Sequence, residues 1–407
     1  MKVLHIQYGM THAGNAAYRL HEAMLRIGID SYCMTLMNNV VRGNVICFDE
    51  SLLHKAVRVG IQRVVSMWKL RKFRDETLPY HNIPVIGCGV VSHQLIKEAD
   101  IIYLHWIANG ISLNELHALL SMDKPIIVFL HDMWIITGGC NCSLGCKRFM
   151  TGCENCGLFK NGATTSEDNL IKKISLFSNR KNVLFMTPSE WMKGCAENSL
   201  VTQKCKICHV PNYVDDNVFK PIDKRIARNI LNLPQDKILI TFGCQSGVRN
   251  KLKGWEYMIQ AINMLPYEED KVNIVIYGSD YNAETERSIK YPIHFLGPIW
   301  DEHKLMLICN SSSLFVSPSL AESFGLTLLE NTLCNTPVVS FDNTAIPEIV
   351  KTGKNGYLAK NKDADDLAKG MEWTLSQKFG DIRSISEYSS EKVLETHLSI
   401  IRQITNN

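Results

Sequence analysis

The stretch Ser317-Pro318-Ser319-Leu320-Ala321-Glu322-Ser323-Phe324-Gly325-Leu326-Thr327-Leu328-Leu329-Glu330 limits what this chain can fold into more than any other. Leu314-Phe315-Val316 ahead of it is a short apolar run that predicts a buried strand. Residues 325–333 predict a helix, and Val338-Val339-Ser340-Phe341 predicts the next strand. This is a β-turn-α-β unit, so the chain must build a parallel sheet whose carboxyl edge carries a helix N-terminus. Free backbone N–H groups and a partial positive charge point out there, and Ser323 to Thr327 form a phosphate cradle in which Gly325 permits close approach. Glu322 falls in the loop, and Glu330 lies about 7–8 Å further along the helix at a rise near 1.5 Å per residue. Such a span is roughly the reach from a phosphate to a ribose.

The spacing Glu322-x7-Glu330 has an ordered context: Ser317-Pro318-Ser319 before it, Glu322-Ser323-Phe324-Gly325 around it and Thr336-Pro337-Val338-Val339 after it. Together these resemble the signature of the family 4 retaining glycosyltransferases. The resemblance implies an α/β chain of GT-B architecture, two Rossmann-like doubly wound domains facing across a cleft. Residues 1–212 would form an acceptor domain, 213–385 a nucleotide-sugar donor domain, and 386–407 a helix returning toward the first. It further implies that Glu322 binds sugar hydroxyls and Glu330 the ribose, with Ser323, Phe324, Gly325, Leu326 and Thr327 around the donor.

Composition sets outer bounds. A chain of 407 residues holds two to three domains, and 45% hydrophobic with 21% charged residues is ordinary for a water-soluble protein. A formal net charge of +3 implies no nucleic acid. The opening Val3-Leu4-His5-Ile6 reads as a strand rather than a leader, and no apolar run has membrane-spanning length, so a cytoplasmic protein is expected.

Residues 3–36 predict strand, loop, amphipathic helix and second strand, the opening of a doubly wound domain. In the loop Gly9-Met10-Thr11-His12-Ala13-Gly14, only Gly14 stands where the resemblance places a donor-binding glycine; Thr11 and His12 are either substrate contacts or solvated side chains. Residues 52–74 hold seven cations (Lys55, Arg58, Arg63, Lys69, Arg71, Lys72, Arg74) and no acid, with apolar residues at 57, 61, 64, 65 and 68 in helical period. A basic amphipathic helix bearing Trp68 suits an anionic lipid surface, here the inner membrane face with a lipid-linked acceptor; a helix packed on the domain with a solvated basic face is the alternative.

His131-Asp132-Met133-Trp134 follows a predicted buried strand, where ligands bind in open α/β sheets. With Thr137-Gly138-Gly139-Cys140 it resembles a bacterial subgroup of the same family that builds surface polysaccharides, which implies that His131 contacts the transferred sugar. The excursion 138–157 crowds Cys140, Cys142, Cys146, Cys153 and Cys156 among glycines. The subgroup resemblance covers Cys140, Cys146, Cys153 and Cys156, a candidate structural zinc site; the spacing is not that of a paired C-x2-C knuckle, which favours the alternative of reduced thiols or redox pairing.

In the second half, a predicted strand at residues 238–242 releases into a glycine-containing loop with Arg249, Lys251 and Lys253. Cations there neutralise a diphosphate leaving group; by resemblance Lys253 takes this role, with Arg249 assigned beside it. No Asp-x-Asp motif stands at a strand end, so no divalent metal is expected in catalysis and no cofactor beyond the nucleotide-sugar donor. The expected activity is retaining transfer of a sugar from a nucleoside diphosphate to a glycan or lipid-linked acceptor, with Lys253, Glu322 and His131 at the chemistry. A nucleotide-sugar epimerase of the same architecture and a non-catalytic binding subunit are the alternatives.

Overall fold

The computed structural model describes residues 1–9, 15–37, 45–69, 81–82, 84–157, 159, 164–243, 250–383 and 386–405. The chain forms two compact units, one holding Asn15–Asn212 with the first strand and Glu391–Asn407, the other Tyr213–Ser390. In the first, strands β1 (Lys2–Gln7), β2 (Asp30–Thr35), β3 (Val45–Cys47), β4 (Ile101–Leu104), β5 (Ile126–Phe129), β6 (Val183–Thr187) and β7 (Lys206–His209) pair in the order β3-β2-β1-β4-β5-β6-β7. In the second, β8 (Ile238–Gly243), β9 (Val272–Tyr277), β10 (Ile293–Phe295), β11 (Leu314–Ser317), β12 (Val338–Phe341) and β13 (Gly356–Ala359) pair in the order β10-β9-β8-β11-β12-β13.

Every pairing in both sheets is parallel. That explains the sequence of the central strands: covered on both faces, Ile101–Leu104 and Ile126–Phe129 are continuous apolar runs buried at every position. Side-chain caps start helices of the first unit: Asn15 accepts from the Tyr18 N–H at 3.0 Å, and Ser189 accepts from that of Met192 at 3.1 Å. The strand order reverses between β1 and β4 in the first unit and between β8 and β11 in the second. Those are the topological switch points, where the carboxyl edge opens a crevice.

The helix Leu52–Lys69 corrects one expectation. Its inward face is polar: Arg58 is buried, donates to both carboxylate oxygens of Glu50 at 2.8 and 2.7 Å, and reaches the Asn109 carbonyl at 3.1 Å. His54 meets the same carboxylate at 2.9 Å, and Gln62 accepts from the Val85 N–H at 3.2 Å. Arg58 is therefore not a surface cation, because Glu50 just ahead of the helix draws it inside. Apolar side chains lie outward instead, with Leu52 86%, Leu53 77% and Val64 66% exposed. Residues 70–74, and with them Arg71, Lys72 and Arg74, lie outside the described residues.

Candidate active site

At the switch point of the second unit, the loops after β8 and β11 are locked together. Asn250 caps the short turn Lys251–Lys253 by accepting from the Leu252 N–H at 3.1 Å, and the Leu252 carbonyl accepts from the Leu320 N–H at 2.8 Å. Gly254 ends the turn at φ 67°, and a Cβ added there would stand 1.8 Å from the Pro318 carbonyl oxygen. Only glycine allows that backbone and that approach. The consequence is a contact between residues far apart in sequence: Lys253 Nζ lies 2.6 Å from Glu322 Oε1, with the two side chains 29% and 16% exposed. Glu322 is steadied by the loop after β12, since its N–H donates to Thr344 Oγ1 at 2.9 Å and Thr344 in turn donates to Asn343 Oδ1 at 3.0 Å.

Gly325, at φ 97°, begins the helix Leu326–Leu333 without any side-chain cap. The first-turn N–H groups therefore carry the helix's partial positive charge beside the Lys253–Glu322 pair. Ser323, Leu326 and Thr327 are partly exposed around this end, whereas Phe324 is buried edge-on to Tyr388 at 5.6 Å, so its side chain belongs to the core. Glu330 is 1% exposed in the second turn. Gly14 and Arg249, like Thr11 and His12, lie outside the described residues.

In the first unit, His131 follows β5 at the carboxyl edge and its Nε2 lies 2.8 Å from His105 Nδ1. His105 directly follows β4, and its Nε2 lies 3.0 Å from Nδ1 of His5 on β1. The three rings form a ladder across the switch point. Sheet register explains it: His5 pairs with Tyr103, and residues two apart share a face, which puts His105 on the same side. His5 and His105 are buried and His131 half-buried. Burial holds His131 down to about 4 and drives His5 and His105 well below the ordinary imidazole range, so the ladder is neutral.

The rest of the His-Asp-Met-Trp motif is architectural. Asp132 accepts from the Trp134 N–H at 2.9 Å and from the Asn141 amide at 2.6 Å, and burial pushes its carboxyl up to about 6. Trp134 donates from its ring to the Asn82 carbonyl at 2.9 Å. Lys173 is buried with its ammonium 4.1 Å over the Trp134 ring, donating to the carbonyls of Trp134 at 2.5 Å and Thr137 at 2.9 Å; burial brings it down to about 7. These contacts leave His131 as the motif residue available to a ligand.

Cys140 is driven well above the ordinary thiol range, first by burial and further by the neighbouring Cys156, Cys153 and Cys146. Among the described residues, however, no three His, Cys, Asp or Glu side chains are arranged to hold a metal ion. Sequence reasoning assigned no role to His5, His105, Lys173, Asn343 or Thr344, although it read His105 at the carboxyl end of a strand. Only the strand alternation carried a signal for the first two.

Residues 223–392 match the family described as Glycosyl transferases group 1. A D-inositol 3-phosphate glycosyltransferase of Mycolicibacterium paratuberculosis is 31% identical over 173 residues, 40% of this chain and 37% of that relative. The chain thus aligns with well under half of the curated relative's length. Among solved structures, sucrose-phosphate synthase from Thermosynechococcus elongatus superposes with a TM-score of 0.69 at 15% identity, covering 99% of both chains. Anabaena HepE in complex with UDP and glucose superposes with a TM-score of 0.65 at 15% identity, covering 99% of this chain and 100% of that one. Residues 223–392 thus carry the domain shared by this group, and the chain's two Rossmann-like sheets have the GT-B fold.

Proposed function

We propose that this protein is a retaining glycosyltransferase that moves a sugar from a nucleoside-diphosphate donor to a glycan or lipid-linked acceptor in bacterial surface polysaccharide synthesis. The observation that carries the reading is the Lys253–Glu322 ion pair beside the uncapped Gly325 helix end, at the switch point of the second sheet. Charge develops at two places in glycosyl transfer, a positive anomeric carbon and a negative diphosphate, so stabilisation needs fixed donors at the phosphate. Lys253 and the helix end supply them, with Arg249 and Gly14 assigned beside them by resemblance. Glu322 accepts from sugar hydroxyls, Glu330 from the ribose, and His131 contacts the transferred sugar. Donor binding then divides the ion pair: the diphosphate takes the ammonium, and the sugar takes the carboxylate. Transfer with retention proceeds by attack on the face the diphosphate leaves, with the departing oxygen receiving the acceptor's proton.

The partner surface is the inner face of the cytoplasmic membrane, met through the helix Leu52–Lys69. Its exposed apolar side chains, flanked by exposed Lys55 and Arg63 and by no acid on the helix, support insertion into an anionic surface. The four cysteines Cys140, Cys146, Cys153 and Cys156 are proposed to join in a structural zinc site only after rearrangement, and play no part in transfer.

The test of the activity is incubation of the protein with nucleoside-diphosphate sugars and a glycan acceptor, following release of the nucleoside diphosphate. Release coupled to a new glycosidic bond supports a transferase. Isomerised donor with no acceptor product would replace it by an epimerase.

A further inference from the structure

The imidazole ladder dictates which nitrogen of His131 carries its proton. An N–H···N bond joins one protonated and one bare ring nitrogen, so each neutral ring donates with one nitrogen and accepts with the other. His105 uses both nitrogens, at 3.0 Å toward His5 and 2.8 Å toward His131, and therefore ties the three tautomers together. Only two arrangements exist. In one, all three protons sit on Nε2, and the ladder ends on an N–H of His5 Nε2. That atom is buried and has no hydrogen-bond partner among the described residues. In the other, all three protons sit on Nδ1. His5 donates to His105, His105 donates to His131, and the inner end is only a bare lone pair. Orphaned donors are rarer in protein interiors than under-satisfied acceptors, so the second arrangement is the stable one.

The outer end follows. His131 is half-buried, and its Nδ1 makes no hydrogen bond among the described residues. We infer that His5 and His105 are positioning residues that hold His131 neutral with its proton on Nδ1, making it a hydrogen-bond donor to an acceptor oxygen of the transferred sugar. The assignment of the sugar as ligand rests on the proposed transferase function; the assignment of the proton does not. The ladder also opposes protonation of His131. A second proton on its Nε2 would force His105 to accept at Nδ1, reverse His105 and His5, and leave the orphaned N–H inside. The other groups packed on this face, Tyr103 with its hydroxyl 3.2 Å from His397 Nδ1, and His21 bonded to Ser31, carry no negative charge to offset it.

Two measurements test this separately. Ring-nitrogen NMR of the full chain carrying isotope-labelled histidine, with the His131 signals identified by their loss in His131→Asn, is expected to show a protonated Nδ1 and a bare Nε2 at neutral pH. In His105→Phe the ring loses its bonded partner, and its nitrogens are expected to give exchange-averaged signals, with nucleoside diphosphate binding unchanged. A protonated Nε2 in the parent, or His131 signals untouched in His105→Phe, would overturn the ladder assignment. For the ligand, His131→Asn keeps an amide nitrogen where Nδ1 stands and His131→Gln places one near Nε2, so the Asn variant is expected to keep about tenfold more kcat, the scale of one hydrogen bond to a neutral partner. Equal activity of the two variants, with the tautomer as expected, would sink the sugar contact and leave the ladder standing.

Discussion

Lys253 Nζ and Glu322 Oε1 meet at 2.6 Å although they lie 69 positions apart in sequence, so two groups assigned to opposite ends of one donor hold each other. Removing one partner should release the other from this contact. Glu322→Gln is expected to bind a nucleoside diphosphate up to about fivefold more tightly than the parent, because a partly exposed ion pair is worth at most about 1 kcal/mol. Lys253→Ala should weaken the same binding by roughly 1.5–3 kcal/mol, or about ten- to 150-fold, as for a hydrogen bond to a charged group. Calorimetric titration with nucleoside diphosphates reads both. Weaker binding in both variants would mean that the pair acts as a unit and not as competitors.

Glu330, 1% exposed on the helix after Gly325, should serve the nucleoside rather than the sugar. Glu330→Gln keeps the volume and is expected to lose roughly 1.5–3 kcal/mol of nucleotide binding, whereas Glu322→Ala should not weaken that binding and should abolish transfer. Parent-like nucleotide binding by Glu330→Gln would remove the ribose assignment.

Gly254→Ala tests how the two loops are joined. The new Cβ would collide with the Pro318 carbonyl and take a left-handed backbone that costs a non-glycine residue about 1–3 kcal/mol. The variant should lose stability of at least that order in urea titration and lose donor binding with it. Unchanged stability and binding would show that the loops can separate freely.

The strand-turn-helix-strand unit at residues 314–341 was legible because a short apolar run, a glycine and a helical period follow one another locally. The Lys253–Glu322 contact was not. It depends on β8 and β11 being neighbours in the sheet, an order set by the whole unit rather than by either loop. The histidine ladder escaped for the same reason: His5 and His105 look like strand residues until β1 and β4 are paired. Composition also misled at Leu52–Lys69, where cations on a helix read as a solvated face while Glu50, outside the periodic segment, turns Arg58 inward. Residues of the His-Asp-Met-Trp motif announced a site, and the structure shows why His131 stands apart from Asp132 and Trp134: Asp132 is bonded within its own loop, and the Trp134 ring donates to the Asn82 carbonyl.

Acid should destabilise the first unit. Burial holds His131 and His21 down to about 4 and His397 and His81 to about 3, against 6.5 unfolded, with His5 and His105 lowered as well. The folded state therefore binds fewer protons than the unfolded one in this window. Their contribution is fully present above about pH 6.5 and is lost as pH falls toward the folded values. Asp132, raised from 3.8 to about 6, has the opposite sign, but it is one carboxyl against several imidazoles. Urea midpoints should fall steeply from neutral to mildly acid pH, and less steeply in His397→Phe. Midpoints that rise on acidification would contradict the buried neutral histidines.

For membrane contact, the outward side chains matter more than the charges. Leu53→Asp with Val64→Asp should abolish cosedimentation with anionic vesicles at physiological salt, whereas Lys55→Gln with Arg63→Gln should reduce it by at most about 1 kcal/mol per cation. Screening over about 8 Å weakens the charged term and spares the apolar one. Equal pelleting of the parent and the Asp variant would end the membrane proposal and leave the transferase untouched, while self-association of the parent without vesicles would assign the face to a second copy.

The most direct measurement of the central claim is transfer itself, read as the anomeric configuration of the product by NMR for the parent, Lys253→Ala and Glu322→Ala. The parent is expected to form a glycosidic bond with the donor's configuration kept, Lys253→Ala to lose turnover together with nucleoside diphosphate affinity, and Glu322→Ala to lose turnover with no loss of that affinity. Full transfer by Glu322→Ala, or a product of inverted configuration, would contradict it.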